Sequence, residues 1–162
     1  MKQAEKTLIR ILLTAIAFIS ILTAILPASA AEEVYFIICN PNSYVCVRNQ
    51  PKKCGAEAGI LDCGDYILTD GVEKNGFLHV LGITEGDGWV HLGHVVPDRP
   101  VIEKQKMRIN SNWQVASRKW VGGKKNGFLH NGDVVTVYAR SEQWAVTNRG
   151  YIMTEFLEVD NE

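Results

Sequence analysis

The chain carries no excess of charge of either sign. Its 17 Lys and Arg stand against 18 Asp and Glu. Without a basic surplus there is no electrostatic case for binding nucleic acid or an anionic membrane surface. Beyond residue 30 no segment sustains an apolar period of 3.6 residues, so long helices are not expected. Cysteine is missing from the second half, since Cys39, Cys46, Cys54 and Cys63 all fall in the first. No Cys follows the N-terminal apolar run closely, which leaves a lipoprotein anchor without an acceptor thiol. With 46% hydrophobic and 22% charged residues, the composition is that of a globular protein and speaks against disorder, collagen and coiled coil.

What is present begins with Lys2, Lys6 and Arg10, followed by an uncharged run of 16 residues from Ile11 to Leu26. Pro27 breaks the run, and Ala28-Ser29-Ala30 supplies the small residues a signal peptidase requires. The pattern predicts a cleavable secretory signal over residues 1–30. The alternative is an uncleaved anchor, but such a run spans only about 24 Å as a helix, against a hydrocarbon layer of roughly 30 Å. Cleavage leaves 132 residues with 14 basic and 17 acidic side chains, formally −3. The expected location is secreted or periplasmic, in the cell envelope, with membrane attachment only if the signal stays. That length allows one medium domain or two very small ones, not a large enzyme.

The remaining sequence repeats itself. At an offset of 68, Val47 falls on Val115, Gly59 on Gly127, Leu61 on Leu129, Gly64-Asp65 on Gly132-Asp133 and Ile67 on Val135. Further along, Phe77 aligns with Trp144 and Gly88-Trp89-Val90 with Gly150-Tyr151-Ile152, the loop Leu81 to Asp87 being longer in the first copy. Length changes confined to turns indicate a shared fold. Each copy reads as about five short strands punctuated by Gly, Asn, Asp or Pro. In the second, Val135 and Val137 face one way and Thr136 and Tyr138 the other. Strands this short and few predict an all-β fold of two small, sharply bent barrels. The expected limits are 31–97 and 106–158, with a linker at 98–105 stiffened by Pro97 and Pro100 and a tail at 159–162.

Three motifs carry a resemblance. Val45-Cys46-Val47-Arg48-Asn49-Gln50-Pro51, Gly59-Ile60-Leu61-Asp62-Cys63-Gly64-Asp65 and Gly88-Trp89-Val90-His91 resemble the bacterial SH3 (SH3b) domain. That family shows an L-N-V-R-x-x-P strand and loop, a G-x-L-x-x-G-D turn and a closing G-W-V strand. The second copy departs from it, with Ala116 at the family's Arg, Lys119 at its Pro and Tyr151 at its Trp. The resemblance covers about 35–96 and 106–158. It implies tandem SH3-like barrels whose long connection after the second strand borders a ligand groove, and a ligand class of cell-wall peptides.

Individual residues divide into framework and candidates. Gly64-Asp65 and Gly132-Asp133 read as turns, the Gly supplying the conformation and the Asp bonding back to the backbone. Val47, Leu61, Phe77, Trp89, Leu129, Trp144 and Tyr151 read as core. Tyr44, Trp113 and Trp120 lie in or beside the long connections. Trp120 sits among Ser117, Arg118, Lys119, Gly122, Gly123, Lys124 and Lys125, a setting suited to a partner with apolar and acidic groups. A capping role, with Trp120 folded back over the barrel mouth, weighs equally. The candidate binding set is Tyr44, Arg48, Trp113, Arg118, Lys119 and Trp120, with the cations pairing carboxylates.

An even cysteine count in a small exported domain predicts two disulfides, three connectivities being open. Cys46–Cys54 with Cys39–Cys63 is favoured. Structural zinc is the alternative, but C-x6-C-x7-C-x8-C lacks the usual close pair. His91-x2-His94 has no third ligand beside it and reads as surface or turn. No P-loop, Cys–His nucleophile or acid–base pair emerges, so neither catalysis, metal nor cofactor is expected. The reading is an exported, non-enzymatic, monomeric binding protein for cell-wall peptides or another envelope ligand. The alternative is a scaffold for another exported protein.

Overall fold

The computed structural model describes residues 32–83 and 86–160. The expected signal at 1–30 lies outside them. Among the described residues no helix is long and apolar enough to cross a membrane. The chain is all-β. In the first repeat the strands are β1 (Glu33–Ile37), β2 (Val45–Arg48), β3 (Glu57–Leu61), β4 (Tyr66–Thr69), β5 (Glu73–Lys74), β6 (Phe77–Val80), β7 (Gly88–His91) and β8 (Val95–Val96). In the second they are β9 (Gln105–Ile109), β10 (Val115–Arg118), β11 (Lys125–Leu129), β12 (Val134–Arg140), β13 (Trp144–Thr147), β14 (Gly150–Met153) and β15 (Leu157–Val159). One-turn 3-10 segments occupy Leu92–His94 and Thr154–Phe156.

These strands form three sheets, ordered β4-β1-β8, β3-β2-β7-β6-β5 and β11-β10-β14-β13-β12-β9-β15. None is closed into a barrel. The difference between the repeats lies in one strand. β12 is seven residues long, pairing with β9 through Val134–Val137 and with β13 through Val137, Ala139 and Arg140. It thereby joins the whole second repeat into one sheet. Its counterpart β4 has four residues and, among the described residues, pairs with the next hairpin at the Leu68–Leu81 bridge alone, so the first repeat stays split.

The duplication is visible in the ladders. Ile37 N–H donates to Asp65 O and Gly64 N–H to Ile37 O; Ile109 N–H donates to Asp133 O and Gly132 N–H to Ile109 O, all at 2.8 Å. The turn carboxylates act as expected, Asp65 accepting from Asp62 N–H and Asp133 from His130 N–H, each at 2.8 Å. Gly64 and Gly132 hold φ of +92° and +86°, where a side chain is strained. One alignment needs correction. Val45 pairs with Leu61 and Arg48 with Trp89, as Val115 pairs with Leu129 and Arg118 with Tyr151. Val115 thus answers to Val45, not Val47, and the second repeat keeps its Arg at Arg118 instead of showing Ala116 there. The loop after it is two residues shorter, which a constant offset hides. Both guanidiniums grip that loop alike: Arg48 Nη1 donates to Gly55 O at 3.2 Å and Arg118 Nη1 to Gly123 O at 2.8 Å.

Residues Ala31–Glu162 form one unit, with an apolar cluster in each repeat and a third between them. Ile37, Val47, Leu61, Ile67, Val80 and Val90 anchor the first; Met107, Ile109, Val115, Leu129, Val135 and Ile152 the second. The third joins Ile38 and Val96 of one repeat to Ala139, Val146 and Tyr151 of the other. Burying one such aliphatic side chain contributes about 1.5–3 kcal/mol. Of the expected core, Trp89 and Trp144 are only half-buried, because their strands present those faces outward while Val90 and Ala145 point in. The connector is held down as well: Glu142 N–H donates to Asp98 Oδ2 at 2.7 Å, and Val101 and Arg140 exchange two backbone bonds at 2.8 and 2.9 Å.

Candidate ligand grooves at the junction of the repeats

Trp120 organises the site. Its loop follows β10, and Val121 N–H donates to Gly93 O at 3.0 Å, fastening the second repeat's loop to the first repeat's 3-10 turn. The indole fits because Gly93 and Gly123 lack side chains. A Cβ on Gly93 would lie 2.5 Å from Trp120 Cδ1, and one on Gly123 would overlap the ring. The ring meets His91 edge-on at 5.5 Å between centroids, and Lys53 Nζ lies 5.4 Å above it, a cation–π distance. Trp120 packs on the other repeat, and it still walls open space.

Two grooves flank it. One, about 410 Å³, is lined by Tyr44, Cys46, Arg48, Lys53, Phe77, His91, His94 and Trp120. The other, about 580 Å³, is lined among others by Cys39, Tyr44, His94, Arg118, Lys119, Trp120 and Tyr151. Tyr44, His94 and Trp120 belong to both. Among the described residues Arg48, Lys53, Arg118 and Lys119 line the pair and no lining side chain is a carboxylate, Glu57 lying behind Cys46. Of the residues singled out in the sequence, Tyr44, Arg48, Arg118, Lys119 and Trp120 come together here. Trp113 lines neither groove; it is 82% exposed on the turn before β10, where Ser111 Oγ accepts from its N–H at 3.2 Å.

The histidines are what sequence reasoning missed. Residues i and i+3 eclipse on a 3-10 turn, so His91, which caps it, and His94, its last residue, lie 6.1 Å apart between centroids. Phe77 packs on His91 at 5.2 Å and Tyr151 on His94 at 6.1 Å, giving a continuous aromatic row. His91 Nδ1 accepts from Gly93 N–H at 3.0 Å, which leaves Nε2–H of the neutral ring as a donor. Tyr151 O–H donates to Ile38 O at 3.2 Å, so it accepts from His94 Nδ1–H at 3.1 Å. Nε2 of His94 is then an acceptor. A signal for the pair existed: two His bracketing a Gly immediately after a closing strand.

Burial pushes the pKa of both imidazoles below the usual value, the Lys53 charge adding to the effect on His91 and His91 adding to it on His94. Unfolded, each takes up a proton below about pH 6.5; folded, each stays neutral to lower pH. The unfolded state binds more protons in that window, so stability is full above pH 6.5 and falls as pH drops through it. Thermal unfolding of the wild type at pH 7.5 and 5.5 should show this loss, and His94→Gln should show a smaller one. An equal loss in both proteins would remove His94 as its source.

The four cysteines are free thiols, and the two disulfides expected from their number are not formed in the structure. Cys39 and Cys63 adjoin, Cys39 N–H donating to Cys63 Sγ at 3.4 Å. Cys46 is engaged elsewhere, its thiol donating to Glu57 Oε2 at 3.1 Å, and Cys54 is exposed.

No protein family matches the chain, and no curated protein matches its sequence. Among solved structures the chain is similar to NlpC1 from Trichomonas vaginalis, with 16% identity and a TM-score of 0.36 over 83% of this chain and 48% of that one. It is also similar to NlpC2 from the same organism, with 16% identity and a TM-score of 0.34 over 81% and 49%. A third similar structure is the endolysin LysPBC5 CBD, with 15% identity and a TM-score of 0.30 over 80% and 94%. The chain spans about half the length of the two Trichomonas vaginalis proteins.

Proposed function

We propose that this is an exported, non-enzymatic binding protein built of two SH3-like repeats, which takes cell-wall peptides through the paired grooves around Trp120. One observation carries the reading. In a chain of net charge −1, the two adjoining grooves gather Arg48, Lys53, Arg118 and Lys119 and, among the described residues, no carboxylate in their lining. Such a lining favours a ligand bearing carboxylates, each charge-assisted bond contributing about 1.5–3 kcal/mol. The exposed ring of Tyr44 and the Trp120 indole add apolar contact for the ligand's backbone and side chains. The SH3b resemblance of the first repeat narrows this chemistry to wall peptides.

The test is co-sedimentation of the protein spanning residues 31–162 with purified cell walls. Retention is expected, falling about tenfold in Tyr44→Ala and in an Arg118→Gln, Lys119→Gln double variant. Absence of retention, together with a stable heteromeric complex recovered from the envelope fraction, would replace this reading with that of a scaffold. Turnover of wall fragments by the purified protein would replace it with that of an enzyme.

A further inference from the structure

The segment that carries Tyr44 into the grooves starts at a pair of thiols. Cys39 lies just past β1 and is buried; Cys63 is half-buried and precedes the Gly64-Asp65 turn. Two backbone bonds hold their chains together, Gly64 N–H to Ile37 O and Ile37 N–H to Asp65 O, each at 2.8 Å. Cys39 N–H donates to Cys63 Sγ at 3.4 Å, and the Cys39 thiol donates to Ser43 O at 3.6 Å. From Cys39 the chain turns through Asn40, Asn42 and Ser43, closed by Ser43 N–H to Asn40 O at 2.8 Å and Asn42 N–H to Asn40 Oδ1 at 3.0 Å. It then delivers Tyr44 to both grooves, while Cys39 lines the larger one. The second repeat has Ser111 and Asn131 at the corresponding places, so the pair is peculiar to the first.

We propose that Cys39 and Cys63 are a reversible thiol–disulfide site whose oxidised form tethers the Asn40–Tyr44 wall of the grooves to the Gly64-Asp65 turn, while Cys46 and Cys54 remain thiols. The oxidant is a disulfide, either a small molecule such as oxidised glutathione or an oxidoreductase. The Cys63 thiolate attacks one sulfur of that disulfide and expels the other as a thiolate. Cys39 then attacks Cys63 in the mixed disulfide, expelling the second thiolate. One S–S bond forms in the protein, one breaks in the donor, and the two protons released by the cysteines pass to the departing thiolates. Chemistry starts at Cys63 because it is the more accessible of the two and because its contact with the Cys39 thiol and backbone N–H favours its thiolate, lowering its pKa. Thiol–thiol contact and burial raise that of Cys39.

The site stands apart from the identity of the groove's ligand and is tested without one. The purified chain is equilibrated with oxidised and reduced glutathione, alkylated, digested and mapped by mass spectrometry. A Cys39–Cys63 link is expected, with Cys46 and Cys54 alkylated, and it should persist in Cys54→Ser and vanish in Cys39→Ser. Amide exchange over Asn40–Tyr44 should slow several-fold in the oxidised form. A dominant link through Cys46 or Cys54 would overturn the proposal. So would the lack of any internal link at a potential that oxidises a reference dithiol, or unchanged exchange in the linked protein.

Discussion

Trp120→Ala should reduce retention on purified cell walls by more than tenfold while the protein stays folded. The indole is the wall shared by both grooves and the surface on which His91 and Lys53 rest. Truncating a central aromatic anchor of this kind typically costs about 2 kcal/mol or more of binding, which exceeds a factor of ten in affinity. Stability should suffer less. Val121 N–H keeps its bond to Gly93 O, and the three apolar clusters do not include Trp120. Unchanged retention by a folded Trp120→Ala protein would leave the indole as a clamp between repeats and nothing more.

Gly150→Ala should have the largest effect on stability. Gly150 opens β14 at φ +110°, where an L side chain is strained, and a Cβ there would lie 2.6 Å from Arg118 O. The obstacle is backbone, so it cannot rotate away. Strain and overpacking each cost about 1–3 kcal/mol, and their sum should lower the melting temperature by on the order of 10 °C. Gly122→Ala is the matched comparison. It holds φ +65° with nothing within 4 Å of the added Cβ, so only the left-handed backbone is penalised, at about 1–2 kcal/mol. Equal melting temperatures for the two variants would show that the contact with Arg118 does not constrain the closing strand.

These glycines also explain how far the sequence could be read. Gly88 and Gly150 start closing strands that cross over β2 and β10. A Cβ on Gly88 would overlap Val47 Cγ1, which is why the Gly-Trp-Val and Gly-Tyr-Ile patterns announced those strands correctly. Alternation likewise placed Val135 and Val137 inward. β3 and β11 are not legible in the sequence, because Glu57-Ala58-Gly59 and Lys125-Asn126-Gly127 have poor strand propensity. They are strands because β2 and β10 supply the opposite ladder, a tertiary effect that outweighs local preference.

The grooves were half legible. Aromatics in or beside the long connections marked Tyr44 and Trp120, the latter among cations, since such side chains have no core position to occupy. What composition could not convey is that the wall crosses between repeats. The contact of Trp120 with Gly93 and the row Phe77–His91–His94–Tyr151 depend on how the repeats dock. A histidine beside a strand end looks like a surface residue until the partner repeat covers it. The same docking explains why Trp113, equally aromatic and equally near a loop, remains outside: its turn lies at the far end of β10 from Arg118 and Trp120.

The most direct test is an NMR titration of the isotope-labelled protein with soluble wall peptides. A jointly built site predicts that resonances of Tyr44 and the His91 and His94 imidazoles shift together with the Trp120 indole N–H, along one binding curve. Shifts confined to one repeat, or centred on Trp113, would contradict it.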